Sequence, residues 1–273
     1  MLVLDYQALV SLLNSNKLLY LCLNIFSKKI LMKYRNILYN NYYSTQAGQL
    51  TTKSIQLKFE EETKVFIAEI IPIINKNRSI TILDLGCGTG SFINALKISG
   101  YERIEGIDIS SEQVSIANQM GLTEVKIGDI VAFLKLSKSK YDLISCMDII
   151  EHFTKDELVE LLDLIKLNLN DAGTIIARTP NMDAPYASLY ANGDFTHENY
   201  LNTQSAVQLF KSIGYHNINI YPSYIRVNGF LKEFVRKILW SVLKLKIKIT
   251  IFSTGRSSKH MSLTPNLIIV AQN

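Results

Sequence analysis

The chain has 273 residues, 48% of them hydrophobic, and a formal net charge of +5. That length and apolar content suit one large domain, or one domain with an accessory part, and the mild positive balance is far from the basic stripe of a nucleic-acid-binding surface. Three widely spaced cysteines, Cys22, Cys87 and Cys146, argue against a disulfide framework and are compatible with a reducing cytoplasm.

Near the N-terminus, Leu18 to Phe26 is an apolar run closed by Lys28 and Lys29. It falls short of the roughly 20 residues that span a bilayer as a helix, and no small-residue cleavage site follows a basic start. Met32 is a second plausible start, so residues 1–31 read as an extension that need not belong to the native protein. Residues 32–78 read as a helical region, with a helix from Ser54 to Asn75 kinked or ended near Pro72.

The main domain is expected over residues 79–273. Short β-branched runs read as strands at Ser79–Leu85, Arg103–Ile109, Thr123–Ile127, Tyr141–Met147, Gly173–Thr179, Tyr215–Tyr221 and Pro265–Ala271. Amphipathic helical patterns lie between them, as at Asp156–Leu169 and Thr203–Ile213. Capping-box spacing marks helix starts at Ser110 with Gln113 and at Thr154 with Glu157. Alternating strands and helices predict an α/β, Rossmann-like three-layer sandwich around a mostly parallel sheet. Two insertions interrupt the alternation: a polar, Tyr-rich connection at 180–202 and a basic apolar stretch at 222–264.

The first strand runs into a glycine turn, ILDLGCGTG. A turn of this kind presents backbone amides at a helix N-terminus, where they favour anions. The dinucleotide fingerprint G-x-G-x-x-G fails here, because Ser91 stands at its third glycine position. Asp84 points the same way, since a carboxylate beside a pyrophosphate is repelled more strongly as water is excluded. A ligand with a cationic head and no phosphate reverses that sign. S-adenosyl-L-methionine is such a ligand, with amides available to its carboxylate and Asp84 near its ammonium side. Asp108, ending the second strand, is placed to bond ribose hydroxyls; Asp129, after the third, to meet the adenine amino group with Ile130 against the ring.

LDLGCGTGSF, IEGIDIS, IGDI and YDLISCMDIIEHF together resemble the ordered motifs of class I S-adenosylmethionine-dependent methyltransferases. The resemblance covers about Tyr34 to Ser212 and implies a seven-stranded sheet whose last strand runs antiparallel. It also implies cofactor-binding positions at Asp84, Gly86, Cys87, Gly88, Gly90, Asp108, Ile109, Asp129, Ile130 and Met147.

In MDIIEHF, a helical turn would put Asp148, Glu151 and His152 on one face. Such a group could hold a divalent metal, or His152 could serve as general base, or it could bond backbone near the cofactor. The segment resembles that of ubiquinone-type O-methyltransferases, some of which are thought to use a metal; no metal is assigned here. The connection holds GDFTHE, whose Asp194, Thr196 and His197 supply a second candidate base or a capped turn. TPN at Thr179–Asn181 and GDFTHE look like segments of glycan-biosynthesis methyltransferases, implying a hydroxyl acceptor on a glycan or other small molecule. The alternatives are a quinone-precursor O-methyltransferase at the membrane and a non-catalytic binding protein of the same fold. Nucleic acid is not expected as a partner, because MDII stands where amino-methylating enzymes carry an Asn/Asp-Pro-Pro-Tyr motif.

Phe230 to Ile249 is apolar with scattered lysines, helical in its first half and alternating in its second. It suits a lid packed on its own domain or on a second subunit of a homodimer. Its other use is peripheral contact of 229–249 with an anionic membrane.

Overall fold

The computed structural model describes residues 33–39, 45, 51–223 and 225–273. The 1–31 extension and the Met32 start lie outside the described residues. Helix α1 spans Lys33–Tyr39 and α2 spans Thr52–Glu69, capped by Thr51, whose side chain accepts from the Ser54 amide. The helix expected over Ser54–Asn75, kinked or ended near Pro72, stops at Glu69, and Pro72 sits in a following 3₁₀ turn, Ile71–Ile73, where its missing amide costs no helical bond.

The sheet is built from β1 Ile82–Leu85, β2 Ile104–Asp108, β3 Val125–Ile127, β4 Tyr141–Met147, β5 Leu169–Pro180, β6 His216–Pro222 and β7 Asn266–Gln272. The connecting helices are α3 Ser91–Ile98, α4 Ser111–Gln119, α5 Ile130–Leu136, α6 Lys155–Asn168, α7 Ala187–Ala191, α8 Thr203–Ser212 and α9 Phe230–Ser253. Strand order is β3-β2-β1-β4-β5-β7-β6. The first five strands run parallel, and β7 lies antiparallel between β5 and β6. This is the seven-stranded, mostly parallel sheet with an antiparallel last strand that the motifs imply.

Side-chain alternation along the strands feeds two cores, one on each face. Leu83, Leu85, Ile144 and Ile175 pack with Leu158, Leu161 and Ile165 of α6 and Phe210 of α8. Ile82, Leu143 and Ile176 pack on the other side with Phe59 and Phe66 of α2, and with Phe92, Ile93 and Leu96 of α3. Burial on both faces leaves the carboxyl ends of β1, β2 and β4 as the places where polar side chains gather.

Two stretches differ from the sequence reading. The 180–202 connection carries α7 and a bridge between Asn181 and Leu201. The lysine alternation of 244–249 is helical, as part of the 24-residue α9. That segment has no Gly or Pro, and its Lys, Leu and Ile continue a helix already nucleated upstream.

Candidate functional site

At the end of β1 the chain turns through three glycines with positive φ: Gly86 at +66°, Gly88 at +55° and Gly90 at +81°. Side chains rarely adopt these angles, and a Cβ at Gly86 would stand 2.7 Å from the Ile149 side chain. The turn therefore passes close under the loop after β4, and a cleft of about 510 Å³ opens above it. Asp84, Gly86, Cys87, Gly88, Asp108, Ile109, Asp129, Ile130 and Met147 all line that cleft. Gly90 is the exception among the expected cofactor positions. It caps α3, and its missing side chain makes room for Leu122, whose Cδ1 would lie 2.4 Å from an added Cβ.

Asp84 is 1% exposed. Its Oδ1 accepts from Ser145 Oγ at 2.7 Å, while its Oδ2 has no hydrogen-bond partner among the described residues. Burial pushes the carboxyl up to about 7; the Ser145 bond opposes this and the Asp108 charge adds to it. A buried carboxylate oxygen without a donor is a receptor for a cationic head group. Asp108 is fixed by two amides, Gly88 N to Oδ2 and Ser110 N to Oδ1, both at 2.8 Å. Burial raises its carboxyl and those amides counter the rise. Asp129 is exposed and caps α5 through the Ala132 amide at 2.7 Å. The glycine cradle, the orphan oxygen of Asp84 and the held acid of Asp108 fit the carboxylate, ammonium and ribose of S-adenosylmethionine.

At the other side of the cleft, His152 ends a 3₁₀ turn, Ile150–His152. Its Nδ1 lies 2.8 Å from Thr196 Oγ1, which in turn donates to Asp194 Oδ1 at 2.6 Å. A carboxylate only accepts, so the hydroxyl gives its proton to Asp194 and receives that of Nδ1. The lone pair then sits on Nε2. Burial holds the imidazolium well below its ordinary range, at about 4; His197 lowers it further and Asp194 opposes this.

His197 does not line the cleft. Its Nδ1 donates to the Ala191 carbonyl at 2.8 Å, and its ring meets that of His152 edge-on at 4.9 Å between centroids. The two candidate bases are thus neighbours, because the 180–202 connection folds back on the turn after β4. The Glu198 and Asn199 amides donate to the Glu151 carbonyl, and Asn199 Nδ2 donates to the Ile150 and Phe153 carbonyls at 2.7 and 2.8 Å.

The expected helical face of Asp148, Glu151 and His152 does not form. Asp148 adopts φ +54°, which breaks the helical register, and its carboxylate pairs with Arg178. The group that does assemble is Glu151, His152 and His197, whose potential ligand atoms lie within 4.8 Å of one another. The spacing admits a divalent cation. Without an ion, burial and the nearby Asp148 hold the Glu151 carboxyl far above its ordinary range, and the bonds at Nδ1 leave Nε2 of each histidine as its potential ligand atom.

Arg178, Arg35 and Tyr39 are among the cleft-wall residues that escaped the sequence reading. Arg178 of β5 bonds Asp148 through Nε at 3.0 Å and Glu69 of α2 through Nη1 at 2.9 Å, with its guanidinium 4.5 Å from the Phe66 ring centre. A charged residue inside the apolar run TIIA-R-T was the available signal. Arg35 and Tyr39 come from α1. Arg35 clamps Glu157 at 2.8 and 2.9 Å and the His152 carbonyl at 3.1 Å, and the Tyr39 ring lies 6.3 Å from that of His152. Nothing local in KYRNILY distinguishes them.

A family model described as a methyltransferase domain matches residues 59–220. Among solved structures, the chain is similar to a SAM-dependent methyltransferase from Archaeoglobus fulgidus, with 20% identity, 86% of this chain and 99% of that chain covered, and a TM-score of 0.58. It is also similar to magnesium protoporphyrin IX methyltransferase from Synechocystis PCC 6803 with bound SAH, with 15% identity, 90% and 99% coverage, and a TM-score of 0.56. A third is a possible histamine N-methyltransferase from Thermotoga maritima, with 12% identity, 87% and 98% coverage, and a TM-score of 0.56. No curated protein sequence matches. These likenesses carry the fold, and the family match, spanning more than half of the chain, carries membership. The chain belongs to the methyltransferase-domain family and is an S-adenosylmethionine-dependent methyltransferase.

Proposed function

We propose that this methyltransferase acts on a hydroxyl group of a small molecule or glycan, with His152 as the base. The observation that carries the reading is the chain of bonds from His152 Nδ1 through Thr196 Oγ1 to Asp194, beside the cofactor cleft. Bound S-adenosylmethionine supplies an electrophilic methyl on a sulfonium.

Asp84 and the glycine-turn amides would hold the amino-acid end, Asp108 the ribose and Asp129 the adenine edge, with Cys87, Ile109, Ile130 and Met147 as neighbouring contacts. His152, neutral at ordinary pH, would accept the hydroxyl proton on Nε2 as the oxygen–carbon bond forms and the sulfur–carbon bond breaks, its electron pair staying on sulfur. Thr196 and Asp194 would hold the ring and balance the imidazolium. His197 would buttress that ring. Alignment of acceptor and methyl supplies most of the acceleration in such a displacement, and a positioned base typically adds roughly 10²- to 10⁴-fold.

A second reading, a phenolic quinone precursor as acceptor, is favoured by the apolar and aromatic lining of the cleft, which includes Tyr39, Phe66, Ile149 and Phe153.

The test is S-adenosylhomocysteine release with panels of sugar, phenol, amine and thiol acceptors, using wild type and His152→Gln. Turnover restricted to hydroxyl acceptors and lost in the variant supports the assignment. Turnover on amines or thiols alone, or full activity of His152→Gln, would overturn it. The sugar and phenol panels separate the two readings.

A further inference from the structure

Helix α9 has no buried residue along its 24 positions, which extend about 36 Å. Plotted at roughly 100° per residue, its side chains divide into three zones. Trp240, Leu243, Ile247 and Ile251 are half-covered. The opposite face carries Phe234, Ile238, Val242, Leu245, Ile249 and Phe252, each between 50% and 81% exposed. Lysines border this apolar face, with Lys237, Lys244 and Lys248 along one edge and Lys232 and Lys246 along the other.

The charge is as uneven as the hydropathy. Residues 230–259 hold eight of the chain's 29 Lys and Arg and one of its 24 Asp and Glu, so the whole positive excess of the protein resides here. The single acid, Glu233, is bound to Arg236 and to the Val227 amide. Beside α9 runs a groove of about 1240 Å³, with Thr203, Val207 and Ile220 of the body on its other side. Lys244, Lys248, Arg256 and Lys259 line it, and none of these four pairs with an acid among the described residues.

We propose that α9 lies in the plane of an anionic lipid bilayer, its apolar face among the acyl chains and its bordering lysines at the phosphates, with the adjoining groove receiving a lipid headgroup phosphate. No described helix is long and apolar enough to cross a membrane, so the contact is in-plane. Long lysine stems run along apolar surface while the ammonium reaches the headgroups, which suits an apolar face with basic edges. Charge decides against a second copy of the chain as the occupant. Stacking α9 on its equal would set lysine borders against lysine borders with no spare acid between them. The inference stands apart from the identity of the methyl acceptor.

The test is flotation of the full chain with phosphatidylcholine vesicles, with and without phosphatidylglycerol, alongside light scattering in free solution. At least tenfold stronger partition onto the anionic vesicles is expected, weakened by salt. Ile238→Glu with Leu245→Glu should abolish it, and Lys244→Glu with Lys248→Glu should reduce it at least tenfold. Both variants should keep calorimetric binding of S-adenosylmethionine, which reports folding. Four outcomes would overturn the proposal: equal partition onto neutral vesicles, no partition, partition undisturbed by the paired glutamates, or release by inorganic phosphate at matched ionic strength. A dimer that Ile238→Glu with Leu245→Glu dissolves, without vesicle binding, would assign the face to a second copy.

Discussion

His152 Nδ1 lies 2.8 Å from the hydroxyl of Thr196, a residue 44 positions away that is itself bonded to Asp194. The relay sets the tautomer of a buried, neutral imidazole. Thr196→Val keeps the volume and removes the acceptor for Nδ1–H. The expected result is a kcat about 10- to 100-fold lower with little change in KM, since the loss falls on proton transfer. Steady-state kinetics of the two constants check this, and an unchanged kcat would contradict the relay.

As the proposed base, the same histidine would set an acid limb. Its imidazolium is disfavoured down to about 4, against an ordinary value of 6.5, so the base form persists through mildly acid conditions. With S-adenosylmethionine kept saturating, activity should fall only as pH approaches about 4, and His152→Gln should lose that limb together with most of the rate. Stability follows the same sign. Between 6.5 and about 4 the unfolded chain binds a proton that the folded chain refuses, so this contribution to folding is lost as pH falls through that window. A pH–rate profile beside thermal melts over the same range tests both.

Asp84 behaves in the opposite sense. Its carboxyl is raised from an ordinary 3.8 to about 7, so with the cleft free of ligand its contribution to stability declines as pH rises between those values. The cofactor's ammonium favours the carboxylate, so binding should release a proton below about pH 7. Affinity should therefore weaken toward pH 5. Calorimetry in two buffers of different ionisation heat reads the released proton directly. Asp84→Asn should bind about 10- to 100-fold more weakly, the loss of one charge-assisted contact, and without the pH dependence.

Arg178 ties α2 to the loop after β4 through Glu69 and Asp148, and its side chain is 13% exposed. Arg178→Met leaves Glu69, whose side chain is 2% exposed, as a buried charge without this partner. A destabilisation of about 3–5 kcal/mol is expected, and the added change Glu69→Gln should recover part of it. Denaturant unfolding of the single and double variants checks the sign of the coupling.

Glycine turns separate two costs. Gly90 and Gly121 have nearly equal φ, +81° and +83°, but an added Cβ meets Leu122 at 2.4 Å in the first and nothing within 4 Å in the second. Gly121→Ala should cost about 1–2 kcal/mol for the left-handed backbone alone. Gly90→Ala should cost visibly more, with a lower melting temperature, because Leu122 has to move.

What was legible in the chain was local. The Asp84 turn and the strand-end acids are short motifs whose geometry follows from strand, turn and helix in immediate succession, and all but Gly90 reach the cleft wall. The fold followed from the order of those motifs and the alternation of strands and helices. What escaped was long-range or depended on one backbone angle. The His152–Thr196 and Arg178–Glu69 contacts join segments 44 and 109 residues apart, and no spacing rule reports them. Asp148 was placed on a helical face that its φ of +54° forbids. The alternating lysines of 244–249 mimic a strand, but a helix entering from Phe230 carries straight through them.

The position of β7 has a consequence for the order of assembly. It follows the other six strands in sequence, yet it stands inside the sheet, paired to β5 along Thr174–Pro180 and to β6 along His216–Pro222. During synthesis β6 and α9 are made before the strand that joins β6 to β5. By Pro180 β1 to β4 have all their neighbours and β5 has one of its two, so that part of the sheet, with the cofactor cleft at its carboxyl end, can close first. The far edge then waits for residues 266–272, and a nascent chain stalled before them would present β5 with an open, apolar ladder.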